Sequence, residues 1–269
     1  MPRLLELARF TFREVLLERA FMVLLGLILL TPLAAAIFSN LFLFEIGKVR
    51  VDFLLAVYRL IASAFLIFIA IPLLGRDIGD RQCHLFLFSP VQRHEYLFGR
   101  FFGLLAALGV LALVATLSAE ALIGVTLWME PEPYRHGLNW HAGFSIAGLT
   151  FYQHISLLAA MILICSFATG LPEMLVMACG FIGLTWSLPP VLQAMQTAEV
   201  MQHTPAFVAM LIKGAGALLP TVNAGQLGLA IAHGLDVPTA GILANLAEHG
   251  AYAIIMLALA WRIFDRRDL

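Results

Sequence analysis

Few side chains in this sequence can do chemistry, and they are oddly placed. Arg59, Glu120, His154 and the Glu248-His249 pair each fall inside a long apolar run. An ionisable group in such a run costs about 2.5–3.5 kcal/mol on insertion scales, so each needs a partner, a polar cavity or a task. Arg59 and Glu120 have the charges for an ion pair between adjacent helices. His154 could be a neutral, hydrogen-bonded interior residue. Together the five could line a polar pathway or gate it. His154 and His249 also have the chemistry of an axial haem pair, which would make the chain a cytochrome-b-like membrane subunit. His136 and His141, flanking Trp140, could bind a metal only weakly, and no metal site is assigned.

Motifs for bond chemistry are missing. His94-Glu95 continues as Tyr96-Leu97-Phe98 and so is not H-E-x-x-H, and Gly143-Phe144-Ser145-Ile146-Ala147 lacks the second glycine of G-x-S-x-G. Gly47-Lys48 lacks the upstream glycine and the following Ser or Thr of a phosphate loop. The chain is therefore expected to be neither an enzyme nor itself a binder of ATP, with no catalytic residues and no cofactor of its own.

Composition names the elements that must position these groups. Of 269 residues, 61% are hydrophobic and only 12% charged, and the mean hydropathy is +0.93. A soluble domain carries about 25% charged residues, so there is too little charge here to clothe one. With 16 basic residues against 17 acidic ones there is no excess for nucleic acid either. An all-α integral membrane protein remains. Six apolar runs are long enough to span: Ala20 to Ser39, Phe53 to Leu74, Phe101 to Trp128, Ser145 to Ala168, Glu173 to Leu192 and Ala240 to Trp261. Helices are the economical form for them, because lipid offers the backbone no hydrogen-bond partners. Counting along these helices puts Arg59 roughly 9 Å, and Glu120 roughly 12 Å, below their outer ends. His154 and Glu248-His249 lie at a similar depth, so four spans place ionisable groups in one layer of the outer third of the bilayer.

Charge sets the orientation. Segments 1–20, 75–100 and 262–269 hold eleven arginines, whereas the opposite loops hold only Lys48, Arg50, Arg135 and Lys213. The positive-inside rule then places both termini in the cytoplasm, as an even number of spans requires. Ala34 and Ala36 form an A-x-A pattern, but Glu6, Glu14 and Glu18 upstream argue against a basic leader, so the first run is read as a span. Cys83, Cys165 and Cys179 imply no disulfide framework.

On the cytoplasmic side, residues 2–19 read as an amphipathic interfacial helix, with Leu4, Leu5, Ala8, Phe12, Val15 and Leu16 on one stripe and Glu6, Arg9 and Arg13 opposite. The loop from Gly75 to Arg100 is far longer than an antiparallel connector requires and mixes charge with an apolar centre, Leu85 to Phe88. Between the fifth and sixth spans, the stretch Ala206 to Leu219 is too short to cross and is stopped by Pro220. It suits a re-entrant helix, and Gly225 to His233 suits a second. Pro189-Pro190 is expected to break the fifth span.

Ser89-Pro90-Val91, Arg93, Glu95-Tyr96 and Gly99-Arg100-Phe101 resemble the loop after the second span of permeases of the type-two ABC exporter family. The amphipathic start from Glu6 to Phe21 and the end from Arg266 to Leu269 resemble it too, and with six spans in matching order the resemblance covers essentially the whole chain. It implies a single transmembrane permease domain over 1–269, with an interfacial helix at 1–19, a coupling loop at 75–100 and a partly inserted outer hairpin at 193–239. It further implies that Gly79, Asp80, Arg81, His84, Leu85, Phe86, Phe88, Ser89 and Pro90 seat on a separate ATPase subunit, which carries the ATP and Mg. Two ATPase copies, a second permease copy as a homodimer and the inner-membrane bilayer are the implied partners. The implied activity is export of a hydrophobic or amphipathic substrate.

Overall fold

The computed structural model describes residues 2–42, 46–79, 92–135, 138–195 and 223–266, with isolated positions between 205 and 214. The chain is all-α, and six helices are long and apolar enough to cross a membrane, which makes it a multi-pass membrane protein. In chain order the elements are α1 (Pro2–Leu17), α2 (Arg19–Ser39), α3 (Ile46–Phe65), a π turn (Leu66–Ala70), α4 (Ile71–Gly79), α5 (Arg93–Met129), α6 (Glu132–Arg135), α7 (Ala142–Phe167), α8 (Leu171–Met195), α9 (Asn223–Ala232) and α10 (Thr239–Asp265). The six spanning helices match the six expected runs. Most extend past the apolar stretch, because a helix continues into the headgroup region wherever its backbone can stay paired.

The second span is not uniform. Its π turn ends two residues before Pro72, and Ile71 N–H bonds back to Leu66 O, five residues earlier. Proline has no N–H and its ring crowds the carbonyl four residues back, so widening the preceding turn relieves the clash without ending the helix. Pro189-Pro190, by contrast, does not break the fifth span as expected: α8 runs through both positions to Met195. Membrane helices tolerate proline where neighbours and small local adjustments satisfy the freed carbonyls.

Helix α7 is the hub. It is the most buried span and packs against α3, α5, α8, α9 and α10. Its neighbours come close where side chains are small: a Cβ built on Gly143 would lie 2.8 Å from Ala119 Cβ and 2.9 Å from Glu120 N on α5. The outer helices α2, α8 and α10 are far less covered. Their free flanks carry Leu29, Leu33, Val176, Leu184, Ile254 and Leu259, as suits contact with lipid or another apolar surface.

Helix α1 forms as expected, but its packing differs from a simple interfacial float. It lies along the start of α5 and buries Leu7, Thr11 and Val15, while Leu5, placed on the apolar stripe, is 62% exposed. The reason is Gly99 and Gly103 on α5. A Cβ at Gly103 would fall 2.5 Å from Thr11 Cβ, and one at Gly99 would fall 2.7 Å from Leu7 Cδ2. The missing side chains let the two helices approach at backbone distance, as small-xxx-small spacing does in membranes. The i, i+4, i+8 row of Leu7, Thr11 and Val15 therefore turns inward. Helix α9 sits at the far end of the bundle, where His233 Nε2 lies 3.2 Å from Asp52 Oδ1 and Asn139 N–H bonds to Ala232 O. It coincides with the second short helix expected there; most of Ala206 to Leu219 lies outside the described residues.

Candidate functional site

Two polar constellations stand at different depths. The first closes the basic end of the bundle. Arg100 is 1% exposed, and its guanidinium reaches Glu14 Oε2 on α1 at 2.6 Å and Asp77 Oδ2 on α4 at 2.6 Å. Nη1 also donates to Thr11 Oγ1 at 3.1 Å, and Tyr96 O–H donates to Asp77 Oδ2 at 2.5 Å. Arginine suits this place because its planar fork serves several acceptors at once. Around it, Arg76 pairs with Glu18 at 2.7 Å, and Arg93 Nη1 donates to Asp265 O at 2.8 Å, satisfying a carbonyl at the end of α10. These bonds tie α1, α4, α5 and α10 together at the two positions from which the chain leaves for, and returns from, residues 80–91. Gly79 ends α4; Asp80, Arg81, His84, Leu85, Phe86, Phe88, Ser89 and Pro90 lie outside the described residues.

The second constellation is the layer of intramembrane polar groups. His154 is fully buried. Its Nδ1 lies 2.7 Å from Thr150 O; a carbonyl can only accept, so Nδ1 carries the proton. Nε2 then accepts from Ser63 Oγ at 3.2 Å. Both ring nitrogens are thus engaged, as expected of a neutral interior histidine, and axial ligation would have to break one of these bonds. His249 is held on α10 through its Nδ1. Ser156 donates its proton to Gln153 O at 2.7 Å, so it accepts from His249 Nδ1 at 2.9 Å. The adjacent Glu248 is exposed on the flank of α10, since consecutive helical residues point about 100° apart.

Arg59 and Glu120 share a depth but do not pair. Where α3 meets α5 the contact is made by Tyr58, whose O–H donates to Ser118 Oγ at 2.7 Å. Arg59, one position on, turns to α8 and places its guanidinium carbon 5.1 Å from the centre of the Trp186 ring. Glu120 accepts instead from Phe144 N–H at 2.8 Å. Phe144 is the third residue of α7, one of the amides a helix leaves unpaired at its start, so Glu120 acts as a cap supplied by a neighbouring helix. Glu120→Ala is expected to cost about 1 kcal/mol, the usual value of a lost cap. Glu120→Gln, which keeps an acceptor, should melt close to the native chain in detergent.

Sequence reasoning also missed Arg50, taken only as an outer-loop charge. Its side chain is buried and donates to Ser39 Oγ (3.0 Å), Thr126 Oγ1 (2.8 Å) and Glu130 Oε1 (2.8 Å), joining α2, α3 and α5. Both hydroxyls give their own protons to carbonyls of their helices, which leaves lone pairs to face the guanidinium. No local pattern announces this network. The Arg100 cluster did leave a trace, the Gly99-x-x-x-Gly103 spacing that marks a close helix contact.

Compared with known proteins, the sequence matches no protein-family model, and a search of curated proteins finds no match either.

Proposed function

We propose that this chain is the membrane-spanning half of an ATP-driven exporter, resembling the type-two ABC permeases, and that it draws its energy from a separate ATPase subunit. The observation that carries this reading is the clamp at the basic end. The strands of chain entering and leaving residues 80–91 are bound to each other and to α1 through Arg100, Asp77 and Glu14. Both continue as spanning helices, α4 and α3 on one side and α5 on the other. A push on the loop would therefore reach the membrane as movement of whole helices. Coulomb and hydrogen-bond contacts buried at the joint resist local yielding far better than exposed ones.

In this mechanism two ATPase subunits, holding ATP and Mg, close on each other and press on a coupling loop from each of two permease copies. The uncovered apolar flanks of α2, α8 and α10 offer surface for the second copy and for lipid. The chain makes and breaks no bond; it converts the closure into outward opening of the spans at the inner membrane. Changing Leu85 and Phe88 together to Asp tests the reading. The native chain is expected to co-purify with an ATPase subunit from its own cells, and L85D/F88D to lose that subunit at unchanged melting temperature. A native chain that retains no ATPase would refute the proposal.

A further inference from the structure

Arginines in the described residues find carboxylates wherever they are buried near the ends of the bundle: Arg50 has Glu130, and Arg100 has Glu14 and Asp77. Arg59 is different. It lies deepest in the apolar zone, where an unneutralised charge costs most, and among the described residues it has no carboxylate partner. Its Nε and Nη2 are shielded from solvent with no hydrogen-bond acceptor among the described residues, and so is Trp186 Nε1. Three donor atoms on two stacked residues are thus left without acceptors. Of the two acidic groups at this level, Glu120 is spent on Phe144 N–H and Glu248 is exposed on the flank of α10. The Trp186 ring face offsets only part of the cost, about 1–2 kcal/mol for a desolvated pair.

Unmatched donors around a fixed positive charge specify what would complete them: a group with several acceptor oxygens and a negative charge. The surroundings specify the rest. Helix α8 is thinly covered, and a Cβ added at Gly183, one turn from Trp186, would meet nothing within 4 Å, so an apolar body has access from the bilayer. We infer that the cargo is an anionic amphiphile whose carboxylate or phosphate head is received by Arg59 and the Trp186 N–H while its apolar body lies along α8. This rests on the exporter reading, since it takes the outer polar layer as part of the cargo path.

The test uses the full chain in phosphatidylcholine nanodiscs, with Trp128, Trp140 and Trp261 changed to Phe so that Trp186 alone reports. The probes are bromoundecanoate, bromoundecyl phosphate and bromoundecanol, whose bromine quenches a neighbouring indole. Saturable quenching by one or both anions is expected, with the alcohol at least roughly tenfold weaker, the loss that fits removal of a hydrogen bond to a charged group. Which anion binds more tightly assigns the head. Arg59→Gln should weaken anion quenching by a similar factor, whereas Arg59→Lys should preserve most of it. Equal affinity for alcohol and anions on the native side chain overturns the inference, even if Arg59→Gln does not fold. So does full anion affinity in a folded Arg59→Gln chain. ATPase co-purification is a separate readout: losing it refutes the exporter and leaves anion binding untouched, while equal alcohol binding refutes the headgroup assignment alone.

Discussion

Arg100→Ala is expected to cost roughly 3–5 kcal/mol of stability, the range found when one member of a buried charge pair is removed. The size follows from what is stranded. Asp77 is 3% exposed, and without Arg100 it would keep only the Tyr96 hydroxyl from the present network. Glu14 would lose its hold on α5, and with it α1 its polar anchor. A variant that also changes Asp77 to Asn removes the stranded charge and should recover part of the loss. With Asp77→Asn measured alone as well, subtracting both single effects from that of the double variant isolates the pair term. Arg100→Lys should fall between, because one ammonium cannot hold Glu14 and Asp77 in the fork that a guanidinium provides. Thermal unfolding of the five proteins in one detergent provides the measurement. Equal melting points for Arg100→Ala and the native chain would show that the network does not hold the basic end.

Gly103→Leu should have the next largest effect, through geometry alone. Even the first added carbon would sit 2.5 Å from Thr11 Cβ and 2.7 Å from the Ala8 carbonyl oxygen. A backbone carbonyl cannot rotate away, so α1 must move as a body. Overpacking of this kind costs about 1–3 kcal/mol, and the displacement also draws Thr11 and Glu14 off Arg100, so the total should exceed the steric part. Accessibility shows the movement directly. A cysteine replacing Leu7, which is 7% exposed, should resist maleimide in the native background and react quickly beside Gly103→Leu. The three native cysteines would first be changed to Ala. Slow labelling in both backgrounds would mean that α1 tolerates the added bulk.

Much of the architecture was open to reading because it depends on local quantities. A run of about 20 apolar residues bounded by charge is a span whatever its neighbours do, and all six proved helical. The shared level of Arg59 and Glu120 along the bundle was legible for the same reason, since it is a residue count multiplied by a rise, and the Tyr58–Ser118 bond sets their neighbours side by side. Azimuth was not. Arg59 and Glu120 share a level, yet Tyr58 faces α5 and Arg59 faces α8, a matter of a single 100° step that depends on how the helices cross. Burial at the basic end was hidden as well. Arg100, Asp77 and Glu14 look like ordinary interfacial charges until α1 folds onto two glycines. In the same way, Glu120 became a cap only because α7 begins beside it, a proximity with no counterpart in sequence distance.

The π turn of the second span has a consequence for which residues can share a neighbour. Arg59 and Asp77 are 18 positions apart, and 18 steps of about 100° are five full revolutions, so in an unbroken α-helix both would look the same way. One π turn takes up about one extra residue without advancing the spiral, a phase slip of roughly 100°. Arg59 can therefore look toward Trp186 on α8 while Asp77 looks toward Arg100 on α5. A single rod presents one address at its outer half and another at its basic half. A rotation of that rod about its own axis would disturb both addresses together.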